Sequence, residues 1–290
     1  MRTLILNSSN IVADTDNSQL QYNFPAGAIR IEKGDKVALA SLQMYYSTFN
    51  LTTANGNNSF SYVWVDGTVN TVLFDDGFYD ADGINDFLHY TMIQNTHYLI
   101  ETSTGDYVYF INITTNANLY AIQADCYILN TTLFPVANYT IGTGGTWSAS
   151  WTGTSRVPQL RVPSTNFRNI IGFVAGDYPT AILGHTSTQS FTSSFTPQIT
   201  PLSSFILTCD LVNNNYAVPN NQLYSFSPEG TFGDQFTVAP NQYVFINAQA
   251  GDYAFFRMRF LDQDLKPVAI QDEQMVILLV IADKGDQLGL

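Results

Sequence analysis

Charge is scarce in this chain of 290 residues, and positive charge scarcer still: Asp, Glu, Lys and Arg make up 12% of it, with 11 Lys and Arg against 24 Asp and Glu, a formal net charge of −13. So few cations exclude broad electrostatic binding of nucleic acid, which needs clustered Lys and Arg to neutralise phosphates. Cysteine is nearly absent. Cys126 and Cys209 lie far apart in strand-like apolar patterns, which is no disulfide framework, and both are expected to be buried free thiols. No apolar run approaches the roughly 18 residues of a membrane span. Met1 to Asn10 holds one arginine and a short apolar patch, without an apolar region of signal-peptide length, so the expectation is a soluble chain made in the cytoplasm. The three histidines, His89, His97 and His185, have no Cys, His or Glu neighbour at metal-ligand spacing, and none is expected to be a ligand.

Aromatic and short polar residues are what the chain has in plenty. It carries 20 Phe and 17 Tyr within a 45% hydrophobic composition, which suits strands joined by turns better than a helical bundle. The clearest pattern lies near the end. In YAFFRMRFL, Ala254, Phe256, Met258 and Phe260 alternate with Phe255, Arg257, Arg259 and Leu261, the period of a strand with one wet face. Met275 to Ala282 is apolar throughout, as only a strand covered on both faces can be.

From the start, SQLQYNFP reads as a half-wet strand ended by Pro25 and Gly27, and DKVALASLQMYYSTF as a longer one with Ala38, Ala40, Leu42, Met44 and Tyr46 on a continuously apolar face. Asp66-Gly67 between two alternating runs predicts a hairpin with a type I′ turn. Ile84, Phe87, Leu88, Thr91 and Met92 recur at three- and four-residue spacing behind capping aspartates, which predicts a helix over 81–95. A hairpin at Thr104-Gly105, a strand at LYAIQADCYIL, a short strand QLRVP and a helical turn NFRNIIGF fill the middle. Strands near residues 19, 37, 188, 204, 222, 242, 254 and 275 make eight, the number in a jelly roll of two packed four-stranded sheets. The expected fold is therefore mostly β: a single eight-stranded jelly roll formed by 1–50 and 186–290, with a large α+β insertion, 51–185, between its second and third strands.

Catalytic signals are few. In DGFYDADG, Gly83 at the sixth position of a calcium loop would put Phe78 first and His89 twelfth, where carboxylates are needed. GTGG at 142–145 lacks the lysine and setting of a phosphate loop, and there is no Gly-x-Ser-x-Gly elbow. No catalytic, cofactor-binding or metal residue is assigned, and the chain is not expected to be an enzyme. Pro135 to Ser155, with IGTGGTWSASWTGTS, reads as a surface loop in which Tyr139, Trp147 and Trp151 offer aromatic contacts, for instance to sugar rings, or in which both tryptophans fold back over the insertion's own core.

The succession SQLQYNFP, VALASLQMYYSTFNLT, INDFLHYTMIQNTHYLI, IIGFVAGDYP, SSFTPQITPLSSFILTCDLVNN, LYSFSP and FLDQDLKPVAIQDEQMVILLVI resembles, nearly end to end and in the same order, the penton (minor capsid) proteins of virophages, polinton-like viruses and Polinton elements. That resemblance implies a single jelly-roll protein forming homopentamers at the fivefold vertices of an icosahedral capsid, beside a double-jelly-roll major capsid protein, with the virion as its location. It supplies no catalytic residues. The alternative is a jelly-roll carbohydrate-binding or host-attachment protein, whose partner is a surface glycan or receptor.

Overall fold

The apolar run 275–282 becomes an interior strand because both of its edges are paired and one face lies in the core. In the computed structural model, which describes residues 1–286, the chain divides into two compact units: Met1–Phe49 with the segment from Leu202 onward, and Asn50–Pro201. The chain is mostly β.

The first unit is built on β1 (Arg2–Asn7), β2 (Gln19–Asn23), β3 (Lys36–Tyr45), β4 (Phe205–Cys209), β5 (Gln222–Phe226), β6 (Gln235–Val238), β7 (Phe255–Leu261) and β8 (Val276–Ala282). They form two antiparallel sheets, ordered β1-β8-β3-β6 and β5-β4-β7-β2, and the short pair Ile246–Asn247 adds to the end of β3. Leu4 and Leu6 of β1, Ile277, Leu279 and Ile281 of β8, and Val37, Leu39, Leu42 and Met44 of β3 share one core with Leu20, Phe205, Leu207, Phe256, Met258 and Phe260 of the other sheet. β7 alternates as expected, with Phe256, Met258 and Phe260 buried and Phe255 and Arg259 exposed. β8 lies between β1 and β3, and from Met275 to Ala282 only Val276 is exposed.

β3 departs from its expected periodicity. Leu278 pairs with Ser41 but Leu279 pairs with Leu39, so Ala40 is an extra residue. The bulge exchanges the inward parity, from Leu42 and Met44 on one side to Leu39 and Val37 on the other. The eight principal strands are also not the eight expected. β1 is one of them, because Leu4 and Leu6 alternate with outward Thr3, Ile5 and Asn7. The strand Gln189–Thr192 is not, since it pairs with Ala121–Cys126 in the second unit; and in place of a strand near 242 the chain forms β6 and the pair Ile246–Asn247. Residues 50–201 consequently follow the third principal strand, not the second.

The second unit carries a four-stranded sheet (Gly176–Tyr178, Gln159–Val162, Ser59–Val63, Val69–Leu73), a three-stranded sheet (Gln189–Thr192, Ala121–Cys126, Ile111–Asn116) and a smaller one (Tyr139–Ile141, Leu99–Glu101, Tyr107–Val108). Helix α1 (Ala81–Gln94) starts where the Asp80 carboxylate accepts from the Gly83 amide at 2.7 Å, and it buries Ala81, Ile84, Leu88 and Met92. Its apolar stripe joins Phe60, Trp64, Phe74, Phe110 and Phe167 in a core separate from that of the first unit. The Asp66-Gly67 hairpin forms, but with a longer turn than type I′. Gly67 has φ +94° while Asp66 is not left-handed, and Trp64 bonds both Gly67 and Thr68 through its main chain. This is a type I turn followed by a left-handed glycine, in which the Asp66 carboxylate accepts from the Thr68 amide and hydroxyl instead of tolerating positive φ.

Candidate functional site

Trp147 and Trp151 sit at the start and in the body of a short helix, α2 (Ser148–Thr152), and their four-residue spacing places both on one face. That face turns inward. Both indoles are buried, Trp147 donating to the Thr96 carbonyl at 2.7 Å and Trp151 to the Phe134 carbonyl at 3.1 Å. Trp147 stands edge-on to Trp64 at 5.0 Å, and half-buried Tyr139 stands edge-on to Phe134 at 5.2 Å. In this structure the two tryptophans face inward and Tyr139 packs beside them on Phe134. The helical i, i+4 spacing within WSASW was the signal for it.

The histidines have packing partners of their own. His97 stacks on Trp64 with ring centroids 4.7 Å apart, and its Nδ1 lies 2.9 Å from the Tyr62 hydroxyl. Burial lowers its pKa to about 4, against a smaller raising influence from Asp66. His89 stacks on Tyr109 at 3.9 Å and places Nε2 near the Ile111 carbonyl and the Asn112 side chain; burial lowers its pKa as well. His185 reaches the Ala181 carbonyl. Cys126 and Cys209 are buried and free, and burial pushes both thiols up to about 12, which suppresses thiolate chemistry.

The first unit instead offers surface. On the outward side of its β1-β8-β3-β6 sheet lie the uncharged Thr3, Ile5, Asn7, Gln43, Gln235, Thr237 and Val276, with one cation, half-buried Lys36, at the start of β3. Ile5 is 57% and Val276 44% exposed. Beside them is an open depression of about 420 Å³ lined by Asn7, Ser8, Gln43, Gln235, Gln274 and Val276. On the other sheet, the Arg257 and Arg259 guanidiniums each donate through Nε to a cross-strand glutamine, Gln21 at 3.0 Å and Gln19 at 2.8 Å. Among the described residues no strand pairs with the outer edges of β1, β5 and β6, whereas Ile11 and Val12 cover the outer edge of β2. Such an arrangement is suited to association.

The fold therefore defines a mostly-β, two-unit protein whose first unit presents a largely uncharged patch around Ile5 and Val276. No known family's profile and no curated protein matches the chain. Among solved structures it is similar to the mavirus penton protein, at 12% identity over 97% of each chain with a TM-score of 0.43. It is also similar to a chain in the structure of the Sputnik virophage, at 14% identity over 92% of each chain with a TM-score of 0.34.

Proposed function

We propose that this protein is a structural, non-enzymatic viral capsid protein: a penton whose first unit is a single jelly roll and whose work is assembly as a homopentamer at icosahedral vertices, beside a double-jelly-roll major capsid protein in the virion. The observation that carries the reading is the winding of the first unit. Its strands β1 to β8 alternate between two sheets ordered 1-8-3-6 and 2-7-4-5, crossing at every step except the hairpin from β4 to β5. That winding supports the jelly-roll reading, in which the 152-residue excursion at 50–201 would be its insertion. The sequence resemblance to virophage and polinton-like pentons, running in order through both units, supplies the functional class. The neutral face around Ile5 and Val276 is the kind of surface through which a head-to-tail contact closes a ring.

Native mass spectrometry of the purified chain tests this. A species of five copies is expected, and Ile5→Asp/Val276→Asp is expected to abolish it while leaving the circular dichroism spectrum and thermal midpoint near those of the parent. A chain that stays monomeric across protein concentrations and salt levels would refute the ring.

A further inference from the structure

The second unit exposes one aromatic side chain under unusual conditions. The turn joining Ile111–Asn116 to Ala121–Cys126 carries Leu119 and Tyr120 side by side, 64% and 76% exposed. Tyr120 has φ +49°, the left-handed conformation that favours glycine and is an outlier for a bulky residue. Thr96, also left-handed, has a structural reason to be so, since its carbonyl holds the Trp147 indole. The hairpin turn, closed by the Leu119 amide on the Asn116 carbonyl and the Tyr120 amide on the Ala117 carbonyl, sets this conformation, but it calls for glycine or asparagine, not for an aromatic whose side chain stands in solvent. An exposed aromatic held there at a cost points to function.

Next to the turn is a depression of about 410 Å³, within the range of small-molecule sites. Ile122, Pro197 and Ile199 give it an apolar floor, Thr115, Asn116 and Thr200 place hydroxyls and an amide around it, and Tyr120 stands at its side. Not one lining residue is charged, in a chain of net charge −13. The combination matches the two characters of a pyranose ring: a C–H face that packs on an aromatic or apolar surface, and a rim of hydroxyls that exchange hydrogen bonds with neutral donors and acceptors. We infer that this depression binds a neutral hexose unit of a glycan, with Tyr120 as the stacking platform. The site moves the sugar-contact reading from the buried Trp147–Trp151 wedge to a turn where the aromatic is accessible, and it does not depend on pentamer formation.

The test uses saturation-transfer difference NMR on the whole chain with methyl α-mannoside, methyl β-galactoside, methyl α-glucoside and methyl β-N-acetylglucosaminide, and with sialic acid as the charged comparison. Transfer to the ring protons of at least one neutral glycoside is expected, with little to sialic acid. Tyr120→Gly is the informative variant because glycine relieves the left-handed strain: it should raise the thermal midpoint while weakening glycoside binding at least tenfold. Tyr120→Phe should retain binding. Absence of transfer to all four neutral glycosides at millimolar concentration, equal transfer in Tyr120→Gly, or a preference for sialic acid overturns the inference. So does protection of 117–121 from hydrogen exchange by added copies of the chain alone, which would make the turn a protein contact.

Discussion

His97 should make the stability of the second unit fall as the solution is acidified through a defined window. The residue is 7% exposed, its ring stacked on Trp64 and hydrogen-bonded to the Tyr62 hydroxyl. Desolvation lowers its pKa to about 4 from the ordinary histidine value of 6.5. Between these values the unfolded chain binds a proton that the folded chain refuses, so folding stability rises with pH there. The full contribution is present above pH 6.5 and is lost as the pH falls to 4. A difference of about 2.5 units at 1.36 kcal/mol per unit amounts to about 3 kcal/mol. Carboxylates titrate near the lower end, and His89 is shifted in the same direction by its own burial, so the wild-type profile alone does not isolate His97. His97→Gln does: the amide has no proton to gain and can still accept from Tyr62. Urea unfolding followed by tryptophan fluorescence, at pH steps from 7.5 to 4, should show the variant less stable at neutral pH and the gap closing by about 3 kcal/mol on acidification. Parallel profiles for the two proteins would refute the reasoning.

Two other perturbations follow from particular contacts. Asp35 is buried, accepts from the Glu32 and Lys284 amides, and pairs with Arg2 at 3.1 Å; Asp35→Asn should lower the stability of the first unit by about 2 kcal/mol, the range for a hydrogen bond to a charged group, read as a shift in urea midpoint at unchanged slope. Trp147→Ala should cost about 3–5 kcal/mol through the void beside Trp64 and the orphaned Thr96 carbonyl, seen as a lowered thermal midpoint, and glycoside binding at folded temperatures should persist.

What could be read locally was read well. The helix expected over 81–95 spans Ala81–Gln94, because its stripe and its aspartate cap are both written within one short segment. β7 and β8 were equally plain, one from alternation and the other from unbroken apolarity. What failed were matters decided by partners distant in sequence. The bulge at Ala40 exists because β8 pairs with both halves of β3 in shifted register, and no feature of VALASLQM announces that. Gln189–Thr192 has a strand's composition but nothing that selects Ala121–Cys126 over a strand of the first unit. Leu119 and Tyr120 were expected to open the strand LYAIQADCYIL, as their apolar character suggests, but the strand starts at Ala121 and the two lie in the turn before it, because the pairing with Ile111–Asn116 begins only there.

The first unit's surface also bears on how copies of a strongly acidic chain can meet. With a net charge of −13, every approach of one copy to another carries a like-charge penalty. Two kinds of contact overcome it. One is an ion-pair interface, for which Arg257 and Arg259, already oriented by Gln21 and Gln19, are the available cations on the β2-β7-β4-β5 sheet. The other is the neutral face of Ile5 and Val276, where association comes from apolar burial and the charges elsewhere only oppose it. Salt separates them. At 0.15 M the screening length is ~8 Å and at 1 M ~3 Å, so added salt removes the background repulsion in both cases but also weakens attraction between opposite charges in the first. If the ring closes through the neutral face, the oligomer fraction measured by analytical ultracentrifugation should rise steadily from 0.05 to 1 M sodium chloride, and Arg257→Gln/Arg259→Gln should leave that curve unchanged. An oligomer that dissociates as salt is added, and whose salt dependence vanishes in the double arginine variant, would assign the contact to the arginine-bearing sheet instead.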